Sequence, residues 1–249
     1  MDFQLNDGSE EKLKIVQKNW EEIKGRIERH APLSEVKVVA ITKYVDVSWC
    51  RALIHCGISD LGENRVLEGV QKYNALRDEN LKFTAHMVGG IQSNKASKIP
   101  GNFDFVQSVD REKIANILSK RSEELGLILP VLIEVNIDEE PQKSGCMPAD
   151  LMSLAEHIAS LPALSLRGLM CIPKAPSEDG ITSEYERETR GSFAKCRKLF
   201  EELRAEFDKS IDTLSMGMSL DFEWALAEGA NMLRLGRILY LKEGETLSA

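Results

Sequence analysis

Apolar, β-branched runs alternate with amphipathic stretches along nearly the whole chain, a pattern that predicts strands separated by helices. The runs are VKVVAIT at 36–42, ISDLG at 58–62, FTAHMVG at 83–89 and FDFVQSV at 103–109. They continue with PVLIEVNI at 130–137, LRGLMCI at 166–172, DTLSM at 212–216 and NMLRLG at 231–236. Between them apolar residues recur at helical spacing: Leu13, Val16, Trp20, Ile23 and Ile27, then Ile114, Ile117 and Leu118. Leu151, Leu154, Ala155 and Ile158 repeat the spacing, as do Phe193, Cys196, Leu199, Phe200, Leu203 and Phe207. Near-continuous apolar strands separated by helices imply a parallel sheet covered by those helices. Eight such units in 249 residues predict an α/β fold, a (β/α)8 barrel of the TIM type. Segment 1–30 precedes the first strand and reads as an extra N-terminal helix packed on the barrel. A doubly wound open sheet competes with this reading, but its G-x-G-x-x-G fingerprint is absent. The polar stretch IPKAPSEDGITSEYERE at 172–188 reads as one long loop, and no Pro/Gly/Ser-rich linker divides the chain. One domain over 1–249 follows.

Composition narrows the function classes. The chain has 32 Lys+Arg against 40 Asp+Glu, a net charge of −8, which argues against nucleic acid as the main partner. No apolar run reaches the roughly 18–20 residues that span a bilayer, so no membrane partner is expected. The start, MDFQLNDGSEEKLK, lacks the basic and apolar regions of a signal peptide, and a cytoplasmic location is expected. The five cysteines (Cys50, Cys56, Cys146, Cys171, Cys196) form no C-x-x-C pair, which supports neither a disulfide framework nor a zinc site. His30, His55, His86 and His157 lack metal-ligand spacing and read as structural, so no metal is expected.

In a barrel of this kind the active site lies at the C-terminal ends of the strands. There the sequence places Thr42-Lys43, Gly62-Glu63-Asn64, Gly89 to Lys95, Lys143-Ser144-Gly145, Ser215-Met216-Gly217-Met218-Ser219 and Arg234-Leu235-Gly236-Arg237. Lys43 closes an apolar strand; it either snorkels to the rim or, desolvated, serves as an amine able to form a Schiff base. A phosphate in such barrels often sits between the loops after strands seven and eight. Here those loops carry glycines and Ser219, which can cap the next helix, donate a hydroxyl, or do both; Asp221 suits that helix's first turn. By alternation Arg234 and Gly236 share the inner face, and a buried arginine needs a partner. A pyridine nitrogen, a carboxylate, or a structural ion pair with Glu63 would each serve.

The ordered set T-K, G-E-N, H-x-x-G-x-x-Q-S-N-K, K-S-G, R-G-L-M-x-I-P, S-M-G-M-S-x-D and R-x-G resembles the pyridoxal phosphate homeostasis proteins, single-domain relatives of the alanine racemase barrel. The resemblance covers all but the N-terminal helix and the last dozen residues. It implies that Lys43 holds pyridoxal 5′-phosphate (PLP) as a Schiff base. It further implies that Ser219, Gly236 and Arg237 bind its phosphate and that Arg234 lies near the pyridine nitrogen. Asn64, Ser215 and Met218 would line the pocket, with Lys143 near its entrance. The implied role is to bind, buffer and deliver the cofactor, maintaining vitamin B6 and amino-acid and keto-acid balance without a turnover reaction, with apo PLP-dependent enzymes as recipients. Two positions depart from the family pattern. Arg237 stands where the family has Thr, and is expected to turn inward and add a charged contact to the phosphate. Gly90 follows Gly89, and is expected to loosen the strand-three loop.

An arginine at the ring nitrogen keeps it unprotonated, which weakens PLP as an electron sink. The chain runs only nine residues past Tyr240, so the β-rich second domain of alanine racemases is not expected. None of Tyr44, Tyr73, Tyr185 and Tyr240 offers an evident second base. A cofactor-binding protein, a monomer rather than a dimer, is therefore the preferred reading. A small racemase-like PLP enzyme and a Schiff-base aldolase acting on a phosphorylated sugar are the alternatives.

Overall fold

The computed structural model describes residues 9–32, 35–177, 180–207 and 210–247. Its strands are β1 Lys37–Ile41, β2 Asp60–Glu63, β3 Thr84–Met87, β4 Phe105–Val109, β5 Leu129–Val135, β6 Leu164–Cys171, β7 Thr213–Ser215 and β8 Met232–Leu235. They pair in sequence order, all parallel, and β1 closes on β8. The (β/α)8 barrel expected from the alternation is what forms. Helices α1 Ser9–Glu28, α2 Val47–His55, α3 Val66–Asp78, α4 Ser93–Ala96, α5 Glu112–Glu124, α6 Leu151–Ala159, α7 Ser183–Phe207 and α8 Phe222–Ala227 complete it. A 3-10 turn, Arg237–Leu239, follows β8 directly.

Register decides which residues face the barrel axis. Val39 pairs with Arg234, Ile41 with Gly62, and Gly62 with His86, so these residues share the inner face. Glu63, one residue past Gly62, falls on the outer face. There it accepts from Thr42 Oγ1 at 2.7 Å and pairs with Lys72 of α3. An ion pair between Arg234 and Glu63 is therefore excluded by strand parity.

The N-terminal helix α1 buries Val16, Ile23 and Ile27 and packs against α2, the 3-10 turn after β8 and α8. Its Asn19 Nδ2 donates to the carbonyls of Leu239 at 3.2 Å and Leu241 at 2.9 Å, and Arg26 forks onto Glu223 at 3.0 and 3.1 Å. The long loop expected over 172–188 is shorter, because α7 begins at Ser183. Thr182 Oγ1 accepts from Tyr185 N at 3.1 Å, capping the helix, and the pairs Arg187–Glu184 and Arg190–Glu186 brace its first turns. That segment is charged rather than apolar at helical spacing, so periodicity alone missed it.

Candidate functional site

The C-terminal mouth gathers the residues singled out in the sequence. Thr42 turns its hydroxyl outward to Glu63, and the next residue, Lys43, stands at the rim above Ile41. Lys43 is half-buried rather than enclosed, and its Nζ lies 4.7 Å from the ring centroid of Tyr44, which is 85% exposed.

Beside β1, β7 and β8 bring their loops together. Arg234 N donates to Gly217 O at 3.0 Å. Gly217 has φ +94°, and a Cβ there would meet Ala225 Cβ at 2.6 Å, so glycine is needed both for conformation and for room. Ser219 Oγ accepts from Gly236 N at 3.3 Å and Ile238 N at 3.5 Å. Ser219 therefore does not cap α8, as one sequence reading expected. Asp221 occupies the position before that helix, and its Oδ1 accepts from Met218 N at 2.5 Å. The Ser219 hydroxyl instead bridges the two loops, facing backbone N–H groups at the head of the 3-10 turn. At Gly236 an added Cβ would find nothing closer than Ile41 Cβ at 3.5 Å, so the backbone lies open to the mouth. Arg237, the first residue of the turn, is exposed.

Beneath the mouth Arg234 is buried. Its Nη1 donates to Ser215 Oγ at 2.7 Å and its Nη2 to Cys171 O at 2.8 Å. Burial lowers its pKa from the ordinary arginine value, against the attraction of Cys171, Asp221 and Glu134. Ser215 is fully buried and supports Arg234 from below, so it belongs to the floor of the site and not its wall. Burial, and then the charge of Asp110, push the Glu134 carboxyl up to about 7, and its Oε2 has no hydrogen-bond partner. Desolvation likewise raises Asp221.

The other loops close the rim. A Cβ on Gly89 would lie 2.4 Å from Asn64 O, so only glycine lets the β3 loop pass the half-buried Asn64. Gly90 is exposed, and an added Cβ there would meet only the Ser144 side chain, at 3.0 Å from its Oγ. Lys143 pairs with Glu140 Oε1 at 2.6 Å on a loop clipped by Asn136. Met218 is half-buried beside Ser219, while Met216 is in the core. Among the described residues no His/Cys/Asp/Glu group could hold a metal, and the cysteines are free. Sequence reasoning missed Gln107 and Glu134. Both are polar residues inside otherwise apolar runs, a signal the alternation carried.

Fold and mouth together define a racemase-type barrel. The family model of the alanine racemase N-terminal domain matches residues 12–243. The chain is 37% identical to the pyridoxal phosphate homeostasis protein of Pasteurella multocida, over 93% of this chain and 96% of the relative. It is 40% identical to that of Pseudomonas aeruginosa, over 82% and 84%. The chain belongs to the pyridoxal phosphate homeostasis protein family. A solved relative, PipY of Synechococcus elongatus with PLP bound, superposes with a TM-score of 0.77 at 30% identity, covering 90% of this chain and 99% of that one. Alanine racemase of Clostridium difficile shares the fold alone, at 16% identity and a TM-score of 0.71 over 60% of its length.

Proposed function

We propose that this chain binds PLP at its C-terminal mouth and serves to buffer and deliver the cofactor, helping to hold vitamin B6 and amino-acid and keto-acid levels. The observation that carries the reading is a convergence on one rim. The Ser219 hydroxyl and the N–H groups of Gly236 and Ile238 meet at the ends of β7 and β8, the Lys43 amine stands at the end of the neighbouring strand β1, and the Arg234 guanidinium lies beneath. Those groups fit PLP: hydroxyl and backbone N–H donors suit a phosphate, an amine suits an aldehyde, and a cationic donor suits a ring nitrogen. The solved relative with PLP bound supports PLP as the ligand.

When bound, PLP supplies an aldehyde that condenses with amines and a ring that takes up electrons. The residues here favour holding it over using it. Arg234 keeps its own protons at neutral pH and offers the ring nitrogen a hydrogen bond rather than a proton. The hydroxyls of Tyr73 and Tyr240 donate to the carbonyls of Leu61 and Ile41, at 2.9 and 3.0 Å, and are not free as bases. Asn64 and Met218 would flank the ring, Lys143 would stand near the entrance, and Ser215 acts through Arg234. No described helix is long and apolar enough to cross a membrane. We place the protein in the cytoplasm as a monomer, with apo PLP-dependent enzymes as recipients.

Titrating the purified full chain with PLP and with pyridoxal tests this reading. PLP should give a visible absorption band and bind far more tightly than pyridoxal. A protein that stays colourless yet is trapped by borohydride on a phosphorylated sugar would mark an aldolase. Deuterium washout at the α-carbon of an amino acid would mark a racemase.

A further inference from the structure

Inside the barrel, below the mouth, a line of buried polar side chains crosses from Arg234 toward the N-terminal end. Arg234 Nη1 lies 2.7 Å from Ser215 Oγ, and Ser215 Oγ lies 2.7 Å from Gln107 Oε1. Gln107 Nε2 is 3.1 Å from His86 Nδ1, and His86 Nε2 is 2.8 Å from Asp60 Oδ1. Arg234, Ser215, Gln107 and His86 are all buried, in a place where each unmatched donor or acceptor is costly.

The arginine sets the direction of every bond in this line. A guanidinium can only donate, so Ser215 Oγ accepts from it. The single hydroxyl hydrogen of Ser215 must then find an acceptor, and Gln107 Oε1 is in place. That turns the Gln107 amide so that its Nε2–H groups face His86 Nδ1 and, at 3.2 Å, Met232 Sδ. A donor against Nδ1 requires a lone pair there, so the imidazole hydrogen sits on Nε2 and is given to Asp60. Donation thus runs one way, from the cation Arg234 to the carboxylate Asp60. Asp60 is steadied by Lys37 at 3.8 Å, and the His86 ring stacks on Phe105 at 5.3 Å.

We infer that Gln107 and His86 are positioning residues for Arg234, part of an oriented donor chain that fixes the guanidinium so that it meets the pyridine nitrogen already aligned. The inference rests on the PLP reading above. With Nη1 held by Ser215 and Nη2 by Cys171 O, the plane of the guanidinium is set from two strands, and binding need not reorganise it. Glu134 and Asp221 attract the cation electrostatically but supply none of these bonds.

Two measurements test it. In the PLP-free full chain, ¹⁵N NMR of labelled histidine should place the His86 hydrogen on Nε2 with Nδ1 bare; a hydrogen on Nδ1 overturns the chain whether or not PLP binds. The second compares PLP with its analogue carrying carbon in place of the ring nitrogen. The wild type should prefer PLP by about tenfold, as one hydrogen bond to a charged donor gives. Gln107→Leu and, independently, the milder Ser215→Ala should reduce that preference to about twofold or less, because a loosened guanidinium no longer favours the nitrogen. Gln107→Glu keeps the acceptor for Ser215, so it should retain the preference and bring a hydrogen onto His86 Nδ1. A merely structural role would weaken both ligands alike, and an unchanged preference in Gln107→Leu and Ser215→Ala overturns the inference. Absence of PLP binding to the wild type would sink the functional reading instead, with the tautomer result still deciding whether the chain exists.

Discussion

The two ends of the barrel differ in how far their polar groups are matched. The N-terminal end holds a cavity of about 660 Å³, lined by Trp20, Lys37, Asp60, Asp104, Arg167 and Asp212 among others. Its polar groups serve each other. Arg167 forks onto Asp212, Asp104 Oδ2 takes Ala85 N at 2.7 Å, and Asn231 clips Leu214 N at 2.8 Å and Asp212 O at 2.6 Å. The C-terminal mouth is satisfied in this way only in part. Lys43 stands at the rim, Ser219 and two backbone N–H groups converge, and the buried carboxylates Glu134 and Asp221 each keep one oxygen without a hydrogen-bond partner. A site is marked by groups still able to bind something, not by empty space. The N-terminal cavity is where the chain enters its strands through self-satisfied turns.

If that contrast is right, the mouth should respond to substitutions that the cavity ignores. The largest effect is expected from Ser219→Ala combined with Gly236→Val, which removes a hydroxyl and puts side-chain bulk over an open backbone. A hydrogen bond to a charged group contributes about 1.5–3 kcal/mol, so PLP affinity should fall tenfold or more in an absorbance titration. Pyridoxal affinity should fall much less.

Glu134 sharpens the comparison through stability rather than ligand. Its carboxyl is pushed up to about 7 in the fold, from an ordinary value of 4.5. Between those pH values the folded chain keeps a proton that the unfolded chain has released, so stability falls as pH rises through that window. Glu134→Gln should flatten the slope and stabilise the PLP-free protein at pH 8 by on the order of 1–3 kcal/mol, read by urea unfolding at pH 5 and pH 8. An unchanged slope would mean that this carboxylate is not held neutral by the interior.

Smaller effects are expected farther out. Arg237→Thr should weaken PLP binding a few-fold at low salt and less at high salt, since an exposed charge acts on the phosphate through screened space. A titration showing no loss at either salt concentration would leave Arg237 outside the site. The smallest effect is expected at the other end: Arg167→Gln, on the wall of the N-terminal cavity, should change PLP affinity by less than about twofold. A loss comparable to that of the Ser219 and Gly236 double variant would erase the distinction between the two ends.

Much of this was legible in the chain. All eight strands follow from apolar runs, and Lys43, Ser219, Arg234 and Gly236 stand at strand ends that the fold brings to one mouth. What pairwise geometry decides was not legible. Ser219 bridges to Gly236 and Ile238 because β7 and β8 are adjacent, a fact of closure that local capping rules do not contain. Glu63 misled because its side depends on register, which the Ile41–Gly62 pairing fixes. The first turns of α7 escaped because ion pairs and a Thr182 cap, not an apolar stripe, hold them. His86 reads as structural from sequence; its partner Gln107, and through it Ser215, come from other strands, so its place beneath Arg234 emerges only in the closed barrel.

The central claim is that Lys43 is the amine that takes the cofactor. Incubating the full chain with PLP, reducing with borohydride and mapping peptides by mass spectrometry tests it directly. The account predicts a phosphopyridoxyl group on Lys43, lost in Lys43→Ala. A modification found instead on Lys95 or Lys143, with Lys43 untouched, would contradict it.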